Sequence, residues 1–291
     1  MRILITGSTG FFGKYLIPKL LVNGHRVLEI TRNIQKSKQL FGDKTEKFVI
    51  TDNQQDFCSE IDRFGPEIVV HLASYITSND DFLTLHKLLD ANIVFFARLL
   101  DALKNQPIKL FVNTGTFAEY SKNDGEFKPA YLYAATKTAS RFFLNYYSET
   151  YQFKQTTVVP YTVYGGKDSQ KKIIDLIIES LNSPTQLNLS PGEQVLDFVH
   201  IDDVTDFYIK LIDNYEKIPD KSSYQIGTGK GHTLKQLALL IENMTNKKSN
   251  INWGGRSYRV NDVMYAVANT SNFPFEFNTI DLETGLYRCF L

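Results

Sequence analysis

Tyr133-Ala134-Ala135-Thr136-Lys137 sets a phenol four residues before an ammonium. In a helix, residues four apart share one face, so the two heads can converge on a point. A phenol with an ordinary pKa of about 10 is a poor proton donor at neutral pH. A lysine held beside it stabilises the phenolate and lowers that pKa. Such a pair can give or take a proton at a carbonyl or an alcohol. The chain has 16 tyrosines, so the spacing also arises by chance on an amphipathic helix. The segments around the pair decide between the two.

A second chemical signal opens the chain. Ile3-Leu4-Ile5-Thr6-Gly7-Ser8-Thr9-Gly10-Phe11-Phe12-Gly13 reads as a strand, a glycine turn and the start of a helix. Gly7 permits the tight turn, Gly10 lets backbone N–H groups approach a pyrophosphate, and Gly13 allows close helix–sheet packing. The helix N-terminus adds positive partial charge. The spacing differs from the usual Gly-x-Gly-x-x-Gly, yet the preceding strand supports dinucleotide binding by Gly7, Thr9, Gly10, Phe11, Phe12 and Gly13. The end of the second strand, where an acid would hold the adenosine ribose, reads Glu29-Ile30-Thr31-Arg32-Asn33. Thr31 takes the acidic position, and Arg32 could grip a 2′-phosphate through paired hydrogen bonds. NADP(H) is therefore preferred, with NAD(H) possible if Glu29 holds the ribose instead. Asp52, after the third strand, could accept from the adenine amino group.

These groups need a scaffold. Short apolar strands at Arg2–Thr6, His25–Thr31, Lys47–Thr51, Ile68–Ala73, Lys109–Asn113 and Gln155–Pro160 alternate with helical segments, including Lys14–Asn23, Phe82–Lys104 and Tyr131–Tyr151. That order implies an α/β fold, a Rossmann-type doubly wound parallel sheet with both faces covered. Helices at Ile173–Asn182, Asp202–Asn214 and Thr233–Thr245, with Thr233 as cap, belong to a smaller C-terminal α/β substrate-binding part. The expected division is 1–165 for the dinucleotide-binding body and 166–291 for the second, interleaved with it.

Totals narrow the function. The 291 residues carry 32 basic and 32 acidic side chains, so no global basic field invites nucleic acid or an acidic membrane surface. Cys58 and Cys289 are far apart and show neither metal spacing nor a disulfide framework. A strand starting at Arg2 leaves no room for a signal peptide, and no apolar run reaches membrane-spanning length. A cytoplasmic protein without metal is the expectation.

The chain resembles the extended short-chain dehydrogenase/reductase family, the nucleotide-sugar epimerases, dehydratases and reductases. The likeness runs over nearly its full length. It rests on Gly7–Gly13, His71-Leu72-Ala73, Asn92, Asn113-Thr114-Gly115-Thr116, Tyr133/Lys137, Tyr164-Gly165, Asp197-Phe198-Val199-His200-Ile201-Asp202-Asp203 and Arg259-Val260-Asn261-Asp262. By that resemblance Thr116 hydrogen-bonds the substrate carbonyl, Tyr133 is the acid/base, and Lys137 holds the nicotinamide ribose. Leu72 and Ala73 line the cofactor. Asn92, Thr162 and Arg259 face a nucleotide-linked sugar, with Arg259 on its pyrophosphate. The helices Phe82–Lys104 and Tyr131–Tyr151 would form the four-helix interface of a homodimer.

Departures narrow the reaction. Leu196 stands where the family often has Arg, and Val159-Pro160-Tyr161-Thr162 replaces Arg-x-x-Asn. The 4,6-dehydratases carry Asp-Glu directly after the catalytic Thr, where this chain has Phe117-Ala118. Reduction and epimerisation remain. Thr31-Arg32 favours NADPH and hence reduction of a 4-keto-6-deoxy sugar, in the branch of the CDP-abequose and CDP-paratose synthases that supplies deoxysugars for surface polysaccharides. A 4-epimerase with tightly bound NAD is the alternative. A non-catalytic dinucleotide sensor would not need the Tyr133/Lys137 pair.

Overall fold

The computed structural model describes residues 1–122, 124–168 and 170–290. The N-terminal run is β1 (Arg2–Thr6), α1 (Phe11–Val22), β2 (Arg26–Thr31), α2 (Ile34–Phe41), β3 (Glu46–Val49), α3 (Gln54–Phe64), β4 (Ile68–His71), α4 (Phe82–Leu89), α5 (Phe95–Leu103), β5 (Leu110–Thr114), α6 (Leu132–Tyr151) and β6 (Gln155–Pro160). There follow β7 (Thr162–Tyr164), α7 (Ile173–Ser180), β8 (Leu187–Leu189), β9 (Val195–His200), α8 (Ile201–Asp213) and β10 (Ser222–Ile226). The chain ends with β11 (Gly231–Thr233), α9 (Leu234–Thr245), β12 (Ile251–Trp253), β13 (Tyr265–Ala266) and α10 (Leu282–Phe290).

The central sheet has seven parallel strands in the order β10-β6-β5-β4-β1-β2-β3. The order reverses direction between β1 and β4, and in open α/β sheets that crevice binds ligands. The expected doubly wound sheet is therefore present. One feature differs from a division at residue 165: β10 joins the sheet beside β6, so the dinucleotide-binding body draws its last strand from beyond that boundary.

Alternation along each strand sends neighbours to opposite layers. From β1, Ile3 and Ile5 pack with Leu16, Leu20 and Phe207. Leu4 faces the other way, with Phe57, Phe96 and Leu99. All nine are shut off from solvent. Each such side chain contributes about 1.5–3 kcal/mol by leaving water, and the result is a stiff platform for the strand ends.

The smaller part is built around β9, which pairs with β7, β11 and β13. Asp197 on β9 is completely buried yet fully served, accepting from the N–H groups of Thr228, Gly229 and Ala268 and from the Thr228 hydroxyl. It ties the Gly227-Thr228-Gly229 turn to this sheet. Thr233 caps α9 as the sequence implied, in a capping box with Gln236.

Candidate active site

The glycine turn leaves β1 at the switch point. Gly7 has φ +72°, and a Cβ there would stand 2.6 Å from the Ala73 nitrogen. A Cβ on Gly13 would run into the Ser8 carbonyl oxygen. Both positions require glycine. The turn opens into a cleft of about 820 Å³ lined by Gly7, Ser8, Thr9, Gly10, Thr31, Arg32, Lys36, Asp52, Leu72, Ala73 and Ser74, among others. Most of the expected cofactor residues thus share one cavity. Phe11, Phe12 and Gly13 lie on the first turn of α1 beside it. Phe11 lines a smaller hollow with Tyr164, Gly165 and Lys172.

Two observations fit this cleft to a dinucleotide. The Ser8 hydroxyl in the turn is buried without a partner among the described residues, as suits a donor kept for a phosphate. The strand end also lacks a ribose-binding acid. Glu29 is fully buried and accepts from the Ser37 hydroxyl at 2.8 Å and from the Thr45 hydroxyl, with the Lys47 ammonium 3.6 Å away. Its carboxylate is spent inside the sheet–helix layer. Arg32 and Lys36 are exposed at the cleft wall.

Thr116, Tyr133 and Lys137 are 9%, 6% and 3% exposed, so all three proton-bearing groups are withdrawn from bulk water. Thr116 follows β5 and caps a short 3₁₀ turn, Phe117–Glu119. Tyr133 and Lys137 lie one turn apart at the start of α6. The structure brings the expected triad together.

Burial is the largest influence on Tyr133 and pushes its phenol above the ordinary value, while the Ser74 and Thr116 hydroxyls pull it the other way. The lowering expected from Lys137 is therefore not what sets this group; it is a protonated acid at neutral pH. Burial also pulls Lys137 down to about 8, against Glu119, which raises it, and with Arg141, which lowers it. Lys137 still carries its charge at pH 7, by about ten to one.

Asn92 needs a correction. It sits in a π-helical turn, Asp90–Val94, that joins α4 to α5. Its Oδ1 accepts from the Ser74 hydroxyl and the Tyr75 N–H, and its Nδ2 donates to the Tyr75 carbonyl and the Thr136 hydroxyl. An amide has two donors and two acceptor lone pairs, so nothing is left for a substrate. Asn92 positions the Ser74–Tyr75 segment against α6, and the π turn aims it inward.

Burial raises the Tyr131 phenol above its ordinary value, and Arg259, which is exposed, pulls it partly back. Tyr131 stacks on Tyr133 with centroids 6.2 Å apart. Thr162 begins β7 with its hydroxyl buried and unpartnered among the described residues.

Several residues at this site escaped the sequence reading. Ser74, Ser8 and Lys36 carried no local signal. Glu119 and Arg141 did. Thr116-x-x-Glu119 has the capping-box spacing, and Arg141 continues the four-residue step from Tyr133 through Lys137.

A model of the NAD dependent epimerase/dehydratase family matches residues 3–227. The chain belongs to that family. Within it, the chain is 31% identical to a CDP-abequose synthase of Yersinia pseudotuberculosis, over 91% of each chain. It is 29% identical to a UDP-glucose 4-epimerase of Mycolicibacterium smegmatis, over 72% of each. The UDP-glucose 4-epimerase of Thermotoga maritima superposes with a TM-score of 0.86, covering 99% of this chain and 97% of the other at 21% identity. That likeness carries the fold. The family is NAD dependent, and the 820 Å³ cleft gathers most of the residues expected to hold such a cofactor. Among the described residues no cluster of His, Cys, Asp or Glu could hold a metal, and no helix is long and apolar enough to cross a membrane.

Proposed function

We propose that the protein is an NADPH-dependent 4-ketoreductase acting on a nucleotide-linked 4-keto-6-deoxy sugar. The observation that carries the cofactor choice is the strand end. Glu29 is locked inward, Thr31 stands at the acidic position, and Arg32 and Lys36 face the cleft. Two cations and no ribose acid suit a 2′-phosphate. A cofactor consumed in each turnover suits a reductase.

When bound, NADPH supplies the hydride. Tyr133 delivers its proton to the oxygen that develops on sugar C4. Thr116 donates to the same oxygen and orients it. Lys137 holds the nicotinamide ribose and places positive charge near the phenolate that Tyr133 leaves. Arg259 holds the substrate diphosphate. The carboxylate nearest Thr116, Glu119, is tied to Arg141, so no free acid/base pair supports dehydration. Likeness to the Yersinia CDP-abequose synthase supports a deoxysugar substrate and a role in surface polysaccharide synthesis.

A 4-epimerase with retained NAD is the second reading, favoured by the Mycolicibacterium relative. The purified protein, given NADPH and CDP-, dTDP-, GDP- or UDP-linked 4-keto-6-deoxy sugars, decides. Stoichiometric NADPH oxidation with an alcohol at C4 by NMR supports the reductase. Interconversion of C4 epimers without net cofactor use sinks it.

We also propose a homodimer. Phe82, Leu83, Phe142 and Tyr146 are exposed on α4 and α6, an apolar face of the kind that marks an interaction site.

A further inference from the structure

Glu119 and Arg141 form a buried ion pair beside the triad. Glu119 is fully buried and Arg141 nearly so. Arg141 donates from Nε to one carboxylate oxygen at 2.8 Å and from Nη2 to the other at 3.2 Å. The guanidinium also lies over the Phe127 and Tyr120 rings, with centroids 5.2 and 5.8 Å away. Replacing such a pair with well-packed apolar residues is often neutral or stabilising. Stability alone is therefore a poor account of it.

Its placement offers a better one. The Glu119 carboxylate accepts the N–H of Thr116 itself, at 2.8 Å. Arg141 lies one helical turn past Lys137, so Tyr133, Lys137 and Arg141 share one face of α6. The bridge thus spans the two elements that carry the triad. Gly115 is hemmed in by it: a Cβ there would stand 2.6 Å from Arg141 Nη2 and 2.7 Å from Glu119 Oε1. With the pair in place there is no room for a side chain at 115.

We propose that the Glu119–Arg141 pair is a positioning clamp for the triad, holding Thr116 in register with Tyr133 and Lys137 and balancing the charge around Lys137. This rests on the triad carrying the proton transfer proposed above. The charged and titratable groups that act on Lys137 are Glu119 from the 3₁₀ turn and Arg141 from its own helix, and Lys137 in turn acts on His71 from β4; Tyr133 lies one turn before it on the same helix. His71 is buried and held neutral. Glu119 and Arg141 act on Lys137 in opposite directions. Loss of one charge leaves the other unopposed.

The test compares Glu119→Gln, Arg141→Met and the double variant with wild type. Glu119→Gln keeps an acceptor for the Thr116 N–H and removes only the charge. The expected result is a kcat lower by about 10²-fold, the scale on which small misplacements near reacting groups register. KM for NADPH should stay within about threefold. The Lys137 limb of the pH profile should move to lower pH in Glu119→Gln, and return toward wild type in the double variant, where both charges are gone. The double variant buries no lone charge and covers the case in which a single variant does not fold. In parallel, ¹³C NMR titrations of labelled Tyr and Lys, assigned with Tyr133→Phe and Lys137→Met, follow both groups without any sugar. Wild type that reduces no 4-keto sugar overturns the proposed reaction, while these titrations still judge the clamp. Unmoved titrations in a folded Glu119→Gln, or a rate loss matched by equal losses in Tm and NADPH binding, would show that the pair merely staples the loop.

Discussion

Around the dinucleotide turn the chain relies on backbone. Gly7, Gly10 and Gly13 contribute by having no side chain, and β1 carries the turn directly to the switch point. Around the triad the chain relies on side chains held by other side chains. Thr116 is fixed by Glu119, Glu119 by Arg141, and Ser74 by Asn92. The first arrangement tolerates almost no change. The second can be rebuilt one residue at a time, and it is where a family sharing one fold can acquire different reactions.

If that division is real, variants on the two sides should fail in different parameters. Tyr133→Phe is expected to have the largest effect, a fall in kcat of about 10²–10⁴-fold. NADPH binding by fluorescence titration should barely change, and a parallel loss of cofactor affinity would break the comparison. Gly7→Ala should do the reverse. Its φ of +72° and the 2.6 Å approach to Ala73 impose strain, about 1–3 kcal/mol for the backbone alone. Weaker NADPH binding and a lower Tm are expected, with any bound enzyme turning over at close to the normal rate.

The same division explains what could be read from sequence. The strand–turn–helix unit is local, so Gly7 to Gly13 announces both the fold and the cleft that opens at the turn. Tyr133/Lys137 is also local, since one helix fixes its geometry. Glu119–Arg141 joins residues 22 apart, and nothing short of the loop's path brings them together. The π turn at Asp90–Val94 is a slip in hydrogen bonding that apolar spacing does not encode, so Asn92 read as a substrate ligand and proved to be fully engaged. Sequence leaves Glu29 open as a ribose ligand because strand alternation says which face a residue takes, not that Ser37, Thr45 and Lys47 await it there.

Two smaller effects sharpen the comparison on each side. Arg259→Ala should raise KM for the nucleotide sugar by about 10–100-fold, the worth of charged hydrogen bonds, and leave KM for NADPH alone. Arg32→Ala should weaken NADPH by about tenfold on the same reasoning and leave NADH unaffected. Steady-state kinetics with each substrate varied in turn reads both. An Arg32 variant that loses NADH equally would mean the residue supports the strand end and does not recognise phosphate.

Lys137 supplies the smallest effect and one that bears on stability rather than rate. Its folded pKa is about 8, pulled down by burial from an ordinary 10.5. Between those values the unfolded chain binds the proton and the folded chain does not. Stability therefore gains from this residue as pH rises from about 8 toward about 10.5, and below pH 8 the buried charge exacts its full cost. Lys137→Met removes the titration. Urea denaturation of wild type and variant at pH 7 and pH 9.5 isolates the difference from every other group that titrates. The variant should be the more stable at pH 7, with the gap narrowing at pH 9.5. A gap that does not change with pH would place the ammonium in contact with water, and the dry, side-chain-held triad would not stand.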